Sequence, residues 1–546
     1  MMEPVTLTTN WQLFLDDVLV ERATGFDRRM RPPRKRGVLF PDRQPWEHGI
    51  GFFQPVYDGG RFHAIYRVNW PDPEIEAFHA SMGMKGDPAD LAAATEWAYA
   101  TSADGIRWER PELGLCETPL FRDGRISGRT RENNCGAPFD FIRDLGRDGN
   151  VADPARRFLL RMRTGLGTPA GRSHHAQARN PGGLFFAPEF PDFVHDPDWQ
   201  RKLTPVSGRL SPRGFGNFTG WDELHGEWIA FMQGTAPRWF PSRDIARHSS
   251  KDFRTWGARG VLYPDPRDPH ALERYDEFMD VNVVRRGDVW LGFVAVFHSD
   301  RTSPEYMPPF IENENFHFAY ALPNYCTRKG TTDLQLVTSR DGGHSWNRVA
   351  DRQVWLPHGT AENDVDRCAY TGTPITVGET DHFYYTAKDG DHLERLHDGA
   401  FYYKGRSPKW NAALATYPRD RYVSLSTGAY PAILYTKPLL LPPGGLWLNA
   451  DASRGEIRVE IAPVPAEGID DIHAAPVVEG FSFNDCAPVQ ADGVEMPVRW
   501  RSRPDTADLH GRPVRSRFYV RNADLYGFRI APGGDNTHPK GDQVCL

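Results

Sequence analysis

The sequence contains no apolar run long enough to cross a membrane as a helix, which takes about 20 residues. It also has no basic block: 65 Lys and Arg face 72 Asp and Glu, for a net charge of −7. The first absence argues against a membrane span. The second removes the electrostatic footprint of a nucleic-acid binder. Cysteine is scarce, at 6 in 546 residues, with no Cys-x-x-Cys pair, which argues against a zinc site of that kind. Helical periodicity is nearly missing too; the best candidate is the short stretch Asp87–Thr95. The N-terminus shows no basic segment followed by an apolar run, so no signal peptide is read there. A cytoplasmic protein with free thiols is the expectation. The Arg-rich stretch Arg28–Arg36 is broken by Pro32 and Pro33 and reads as a solvated loop or rim.

Turn formers and aromatics take the place of what is missing. There are 51 Gly and 46 Pro, and 12% of the chain is Phe, Tyr or Trp. That composition predicts many turns, few helices and much β-structure, and it also suits sugar-stacking surfaces. Paired strands around a tight turn recur. They are read at 53–67 (turn Asp58-Gly59-Gly60), 221–232 (Leu224-His225-Gly226), 280–297 (Arg286-Gly287-Asp288) and 373–387 (near Gly378). A fifth pair, at 139–162, has a longer loop. In each the second strand is apolar and aromatic. Recurrence at many tens of residues predicts propeller blades. Beyond Tyr417 the strands become short, at sandwich spacing. The expected fold is all-β: a five-bladed β-propeller over 1–436 followed by a C-terminal β-sandwich over 437–546.

A second repeat reinforces the propeller. Ser102-Ala103-Asp104-Gly105-Ile106-Arg107-Trp108 is echoed by Ser250–Trp256 and, most fully, by Ser339–Trp346. The pattern resembles the Asp-box of sialidases. Its physics is local: the carboxylate accepts N–H groups of its own turn, Gly permits a positive φ, and Trp packs beneath the hairpin. Asp104, Asp252 and Asp341 are therefore expected to be structural.

A wider resemblance rests on Arg421-Tyr422-Val423-Ser424-Leu425, Tyr435–Leu439, Leu446–Asp451, Gly455–Glu460 and Ala523–Phe528. Together with the blade segments Tyr99–Leu115 and Leu334–Trp346, these resemble invertase- and levanase-like glycoside hydrolases. The resemblance implies a propeller that cleaves glycosides with two carboxyl groups and no cofactor. Two of that group's motifs, the Asn-Asp-Pro-Asn-Gly nucleophile and the Glu-Cys acid, are absent. Arg267-Asp268-Pro269 spells the third but sits in a Pro/Asp-rich loop. Fructan specificity therefore does not carry over.

Such enzymes place their acids where the innermost strands begin. Asp222, after Trp221, reads as opening a strand and as a base or nucleophile, or as a turn-capping Asp. Glu277 and Asp280, in Tyr275-Asp276-Glu277-Phe278-Met279-Asp280, read as a general acid with a raised pKa, or as hydrogen-bonded acids where the strand begins. Glu47, between Trp46 and His48, is a further candidate. Asp16-Asp17 reads as a turn. Arg238 and Arg243, beside Trp239, suit sugar stacking and an acidic substituent, or a surface ion pair; Trp46 and Trp221 are further stacking candidates. His174-His175 reads as a solvated loop. The expected activity is glycoside hydrolysis, with carbohydrate as the partner and neither nucleic acid nor membrane. A glycan phosphorylase and a non-catalytic glycan-binding propeller are the alternatives. Self-association into a homo-oligomer is left open.

Overall fold

The computed structural model describes residues 3–44, 47, 49–69, 95–114, 118–122, 125–130, 137–146, 153–162, 184–206, 216–233, 244–263, 274–300, 330–359, 368–388, 410–464 and 476–532. Among them there is no α-helix, only strands and 3-10 turns. The Asp87–Thr95 expectation lies almost wholly outside the described residues.

Five antiparallel units follow one another. Blade 1 pairs Gly49–Asp58, Arg61–Asn69 and Thr95–Ser102. Blade 2 runs from Phe139–Asp144 through Phe158–Met162 and Leu184–Ala187 to Thr204–Pro205. Blade 3 comprises Gly216–Asp222, Glu227–Gln233, Ile245–Ser250 and Gly257–Leu262. Blade 4 begins with Arg274–Arg286, Val289–Asp300 and Gly330–Ser339. Blade 5 is Cys368–Val377, Thr380–Lys388 and Trp410–Pro418, and the N-terminal strand Arg34–Val38 completes its outer edge. One end of the chain thus closes the ring begun by the other.

The cores fall between blades rather than within them, because a twisted sheet with two apolar faces must cover both. Ile65 and Tyr99 meet Phe139 and Phe158 between blades 1 and 2. Leu159 and Phe186 meet Phe218 and Trp228 between 2 and 3. Phe231 and Ile245 meet Phe278 and Val294 between 3 and 4. Phe293 meets Trp355 and Phe383 between 4 and 5. Tyr384 and Leu414 meet Tyr66 and Phe62 between 5 and 1. Five interfaces between five units make a closed five-bladed propeller.

All five innermost strands share one irregularity. Each shifts register by a bulge against its neighbour: between Gly51 and Gln54, Phe139 and Phe141, Phe218 and Gly220, Phe278 and Asp280, and Tyr370 and Thr373. A bulge inserts a residue that belongs to neither face and re-aims its side chain.

Thr118–Arg122 and Arg125–Thr130 form a separate hairpin, Asn347–Arg348 and Val354–Leu356 pair with blade 4's third strand, and the other strands form a β-sandwich of two sheets. One contains Ala432–Thr436, Glu456–Pro463 and Pro513–Arg521; the other contains Val423–Ser426, Gly445–Asp451 and Asp524–Ala531. Phe14, Phe518 and Phe528 lie between them in one core. The expected division at 436/437 does not match this sheet membership. Val423–Ser426 and Ala432–Thr436 belong to the sandwich. So do N-terminal strands: Val5 pairs with Leu439, Leu13 with Gly527, Tyr435 with Arg22 and Met30 with Val423. Backbone polar groups along those sheet edges need partners, and the N-terminal segment supplies them.

The three repeated turns each follow a blade's third strand. Asp104 accepts the N–H groups of Ile106 and Arg107, Asp252 those of Arg254 and Thr255, and Asp341 those of His344 and Ser345. Trp108 and Trp346 donate their indole N–H to Gly105 and Gly343 of their own turns. These donors hold Asp104 and Asp252 down at about 2, against a burial effect that raises Asp104.

Candidate active site

The bulge in blade 4 breaks the in–out alternation of its innermost strand. Phe278 and Val281 both pack toward blade 3, and Met279 packs toward blade 5. Asp280 is left over, free of both inter-blade cores. Its carboxylate accepts the N–H of Val281 at 2.8 Å. Burial pushes it up to about 7, against the opposing effects of that N–H and of the Arg143 charge. Arg143 belongs to the innermost strand of blade 2, which is not a neighbour of blade 4. Asp280 thus feels the charge of a residue on a blade that is not its neighbour.

Arg143 is itself fixed. Its Nη1 donates to Gln54 Oε1 at 2.9 Å and to the Ile142 carbonyl at 3.0 Å, and the guanidinium stacks on Phe141 at 5.1 Å. Gln54, just past the bulge of blade 1, also accepts the N–H of Ile142 at 3.2 Å. Gln54 and Arg143 tie the innermost strands of blades 1 and 2 together, and the Arg143 charge acts on Asp280 of blade 4. A carboxyl that titrates near neutrality beside a fixed cation can give up a proton and leave a stabilised anion.

A second polar cluster lies at the same end of blade 4. His298 sits between Asp276, 2.8 Å from Nδ1, and Asp333, 2.9 Å from Nε2, all three buried. Burial alone would lower the imidazole, but the two carboxylates outweigh it and raise it to about 10. Cross-strand register builds this triple: Asp276 faces His298 directly and Asp333 lies diagonally on the third strand.

The other expected site residues are placed as follows. Glu277 is buried on the same strand as Asp280, at 1% exposure. Asp222 closes the innermost strand of blade 3 instead of opening it, and lies beside the hairpin turn. Its carboxylate is held by His225 at 2.6 Å, Arg247 at 3.1 Å and the Leu224 N–H. An aromatic–acid pair reads alike at either end of a strand, and here the turn follows at once. Trp221 packs edge-on against Trp228 at 5.5 Å. Glu47 is buried and accepts four hydrogen bonds: Arg110 Nε at 2.8 Å, Arg110 Nη2 at 2.9 Å, Tyr66 Oη at 2.8 Å and Gln44 N at 2.9 Å. Asp16 takes the N–H of Val18 and pairs with Arg340. Trp46, Arg238, Trp239, Arg243, Asp268 and His174-His175 lie outside the described residues. Reading the sequence missed Gln54, Arg143, His298 and Asp333. Gln54 directly follows the Phe52-Phe53 pair, which is a usable signal; the other three become visible only once strands are paired.

No family model matches this chain, and no curated protein matches it significantly. Solved structures do match. An α-L-arabinofuranosidase from Podospora anserina, in complex with cellotriose, is 12% identical over 76% of this chain and 99% of its own, with a TM-score of 0.32. An exo-β-1,3-galactanase from Phanerochaete chrysosporium is 10% identical over 92% and 100%, at 0.30. An exo-inulinase from Aspergillus awamori is 11% identical over 92% and 99%, at 0.30. These three solved structures are glycoside hydrolases.

Proposed function

We propose that this protein is a glycoside hydrolase in which Asp280 is the proton donor to the leaving oxygen. The proposal is supported by the place of Asp280 outside both inter-blade cores, under the charge of the Arg143 that Gln54 holds, with the Asp280 carboxyl raised to about 7. Glycoside cleavage needs a carboxylic acid that still holds its proton near neutrality. Asp280 donates that proton to the glycosidic oxygen as the bond breaks, and the Arg143 charge stabilises the carboxylate left behind. Glu277, three residues earlier on the same strand, is assigned the second carboxyl role, as the nucleophile at the anomeric carbon or as the base for the water whose oxygen replaces the leaving group there. Asp222 and Glu47 are assigned structural roles, since cations and N–H donors already engage their carboxylates.

The test is a screen of nitrophenyl and alkyl glycosides with the wild type, Asp280→Asn and Glu277→Gln. Loss of a general acid costs roughly 10²–10⁴ in rate. The loss in Asp280→Asn is expected to be largest for alkyl leaving groups, which need the proton most, and smallest for nitrophenolate. An equal loss for both, or none, removes Asp280 from the role. Turnover that requires inorganic phosphate would make the protein a phosphorylase. Binding without cleavage would make it a glycan-binding propeller.

A further inference from the structure

We infer that the contact between His225 and His344 is an acid-sensitive latch, which holds a turn of blade 4 on blade 3 at neutral pH and releases it in mildly acidic surroundings. Two pieces of regular structure meet there. One is the hairpin turn of blade 3 at 222–227, together with Arg247 on that blade's third strand. The other is the turn at 339–346 that follows the third strand of blade 4. Gly342 lets them approach. Its φ is +69, and a Cβ there would collide with the Asp222 carboxylate and the His225 ring.

One buried cation organises this seam. Arg247 donates from Nε to the Gly342 carbonyl at 2.8 Å, and its Nη2 lies 3.1 Å from Asp222 and 2.8 Å from Glu227. His225 Nδ1 lies 2.6 Å from the same Asp222 oxygen. The His344 ring packs edge to face on the His225 ring, with centroids 4.8 Å apart. The other charges on these elements are engaged elsewhere. Asp341 accepts the N–H groups of His344 and Ser345 and the hydroxyls of Ser339 and Ser345. Arg340 pairs with Asp16, and Glu223 lies 3.6 Å from Arg285.

The balance of charge makes the second histidine the sensor. Asp222 and Glu227 are two anions and Arg247 is one cation, so the seam accommodates one further positive charge. His225, hydrogen-bonded to Asp222, is the place for it. A proton on His344 as well would set a second imidazolium against the first and leave cations in excess. Burial, and then the charges of Arg247 and His225, hold His344 below the ordinary 6.5, against the pull of Asp341 and Glu227. Once the turn lifts away, the imidazole regains its ordinary value and takes up the proton. Opening is therefore coupled to proton uptake. The closed seam is at full strength above about pH 6.5 and weakens as pH falls below it.

The test is hydrogen exchange of the whole protein at about pH 7.5 and about pH 5.5, corrected for intrinsic exchange rates, in the wild type, His344→Gln and His225→Gln. The turns at 102–108 and 250–256 are held by an Asp in the same way but contain no histidine, so they serve as internal controls. In the wild type, protection at 339–346 is expected to fall roughly two- to fivefold at the lower pH, the size of a screened surface charge pair, while the control turns hold. His344→Gln keeps its protection at both pH values. His225→Gln removes the opposing charge and shrinks the fall. Wild-type protection that does not change relative to the control turns overturns the inference. So does a fall of wild-type size in either variant, and either one suffices should the other not fold.

Discussion

Replacing Asp280 by Asn stabilises the protein at neutral and alkaline pH and leaves its stability nearly unchanged near pH 4. The reason is the cost of ionising an enclosed carboxyl. Burial raises its folded-state pKa from the ordinary 3.8 to about 7. Between those values the folded chain keeps a proton that the unfolded chain has released. Stability therefore falls as pH rises through that window, by about 1.4 kcal/mol per unit. The penalty is on the order of a few kcal/mol and stays constant above pH 7. An amide cannot ionise, so Asn removes the penalty while its oxygen still accepts the Val281 N–H. Reversible urea unfolding of both proteins at about pH 4 and about pH 8.5 gives the difference directly. The account expects a difference near zero at the lower pH and several kcal/mol in favour of the variant at the higher one. A difference that does not change with pH, or a variant less stable at pH 8.5, refutes the enclosure of Asp280. The same variant is expected to lose activity, the trade expected where a site holds strain for function.

Other expectations concern the residues around the site. Glu47→Gln strands the Arg110 cation and costs about 3–5 kcal/mol in urea unfolding, while the folded variant, assayed cold, keeps its kcat; a large kcat loss without destabilisation would make Glu47 catalytic. His298 is raised from 6.5 to about 10, so its stabilisation is complete below about pH 6.5 and is lost as pH climbs through 10. His298→Gln should flatten that alkaline decline of the unfolding free energy. Asp341→Ala removes the acceptor of two turn N–H groups and is expected to cost about 1–2 kcal/mol in thermal unfolding, with no change in activity.

The sequence made the five blades legible because each hairpin carries its own marks, a tight turn and an apolar second strand. The YDEFMD cluster likewise marked Asp280. The N-terminal contribution to the sandwich was not legible. Pairings such as Leu13 with Gly527 leave no local trace, since strands of that length look alike wherever they dock. The ion pair of Glu47 left no local trace because its partner Arg110 stands 63 residues away. Asp222 looked like a strand opener because periodicity does not reveal which end of a strand meets the turn. His298 gave no signal because its two carboxylates are set by register across three strands. Asp280 itself was flagged as an acid, but what singles it out is a bulge, and a bulge is a property of two strands together.

The pH dependence of kcat/KM tests the central claim most directly, measured on an alkyl glycoside that the wild type cleaves. The account predicts an alkaline limb with an apparent pKa near 7, as Asp280 loses the proton it must donate. In Asp280→Asn that limb disappears and the rate falls by roughly 10²–10⁴. A limb near pH 7 that persists in Asp280→Asn at an undiminished rate would contradict it.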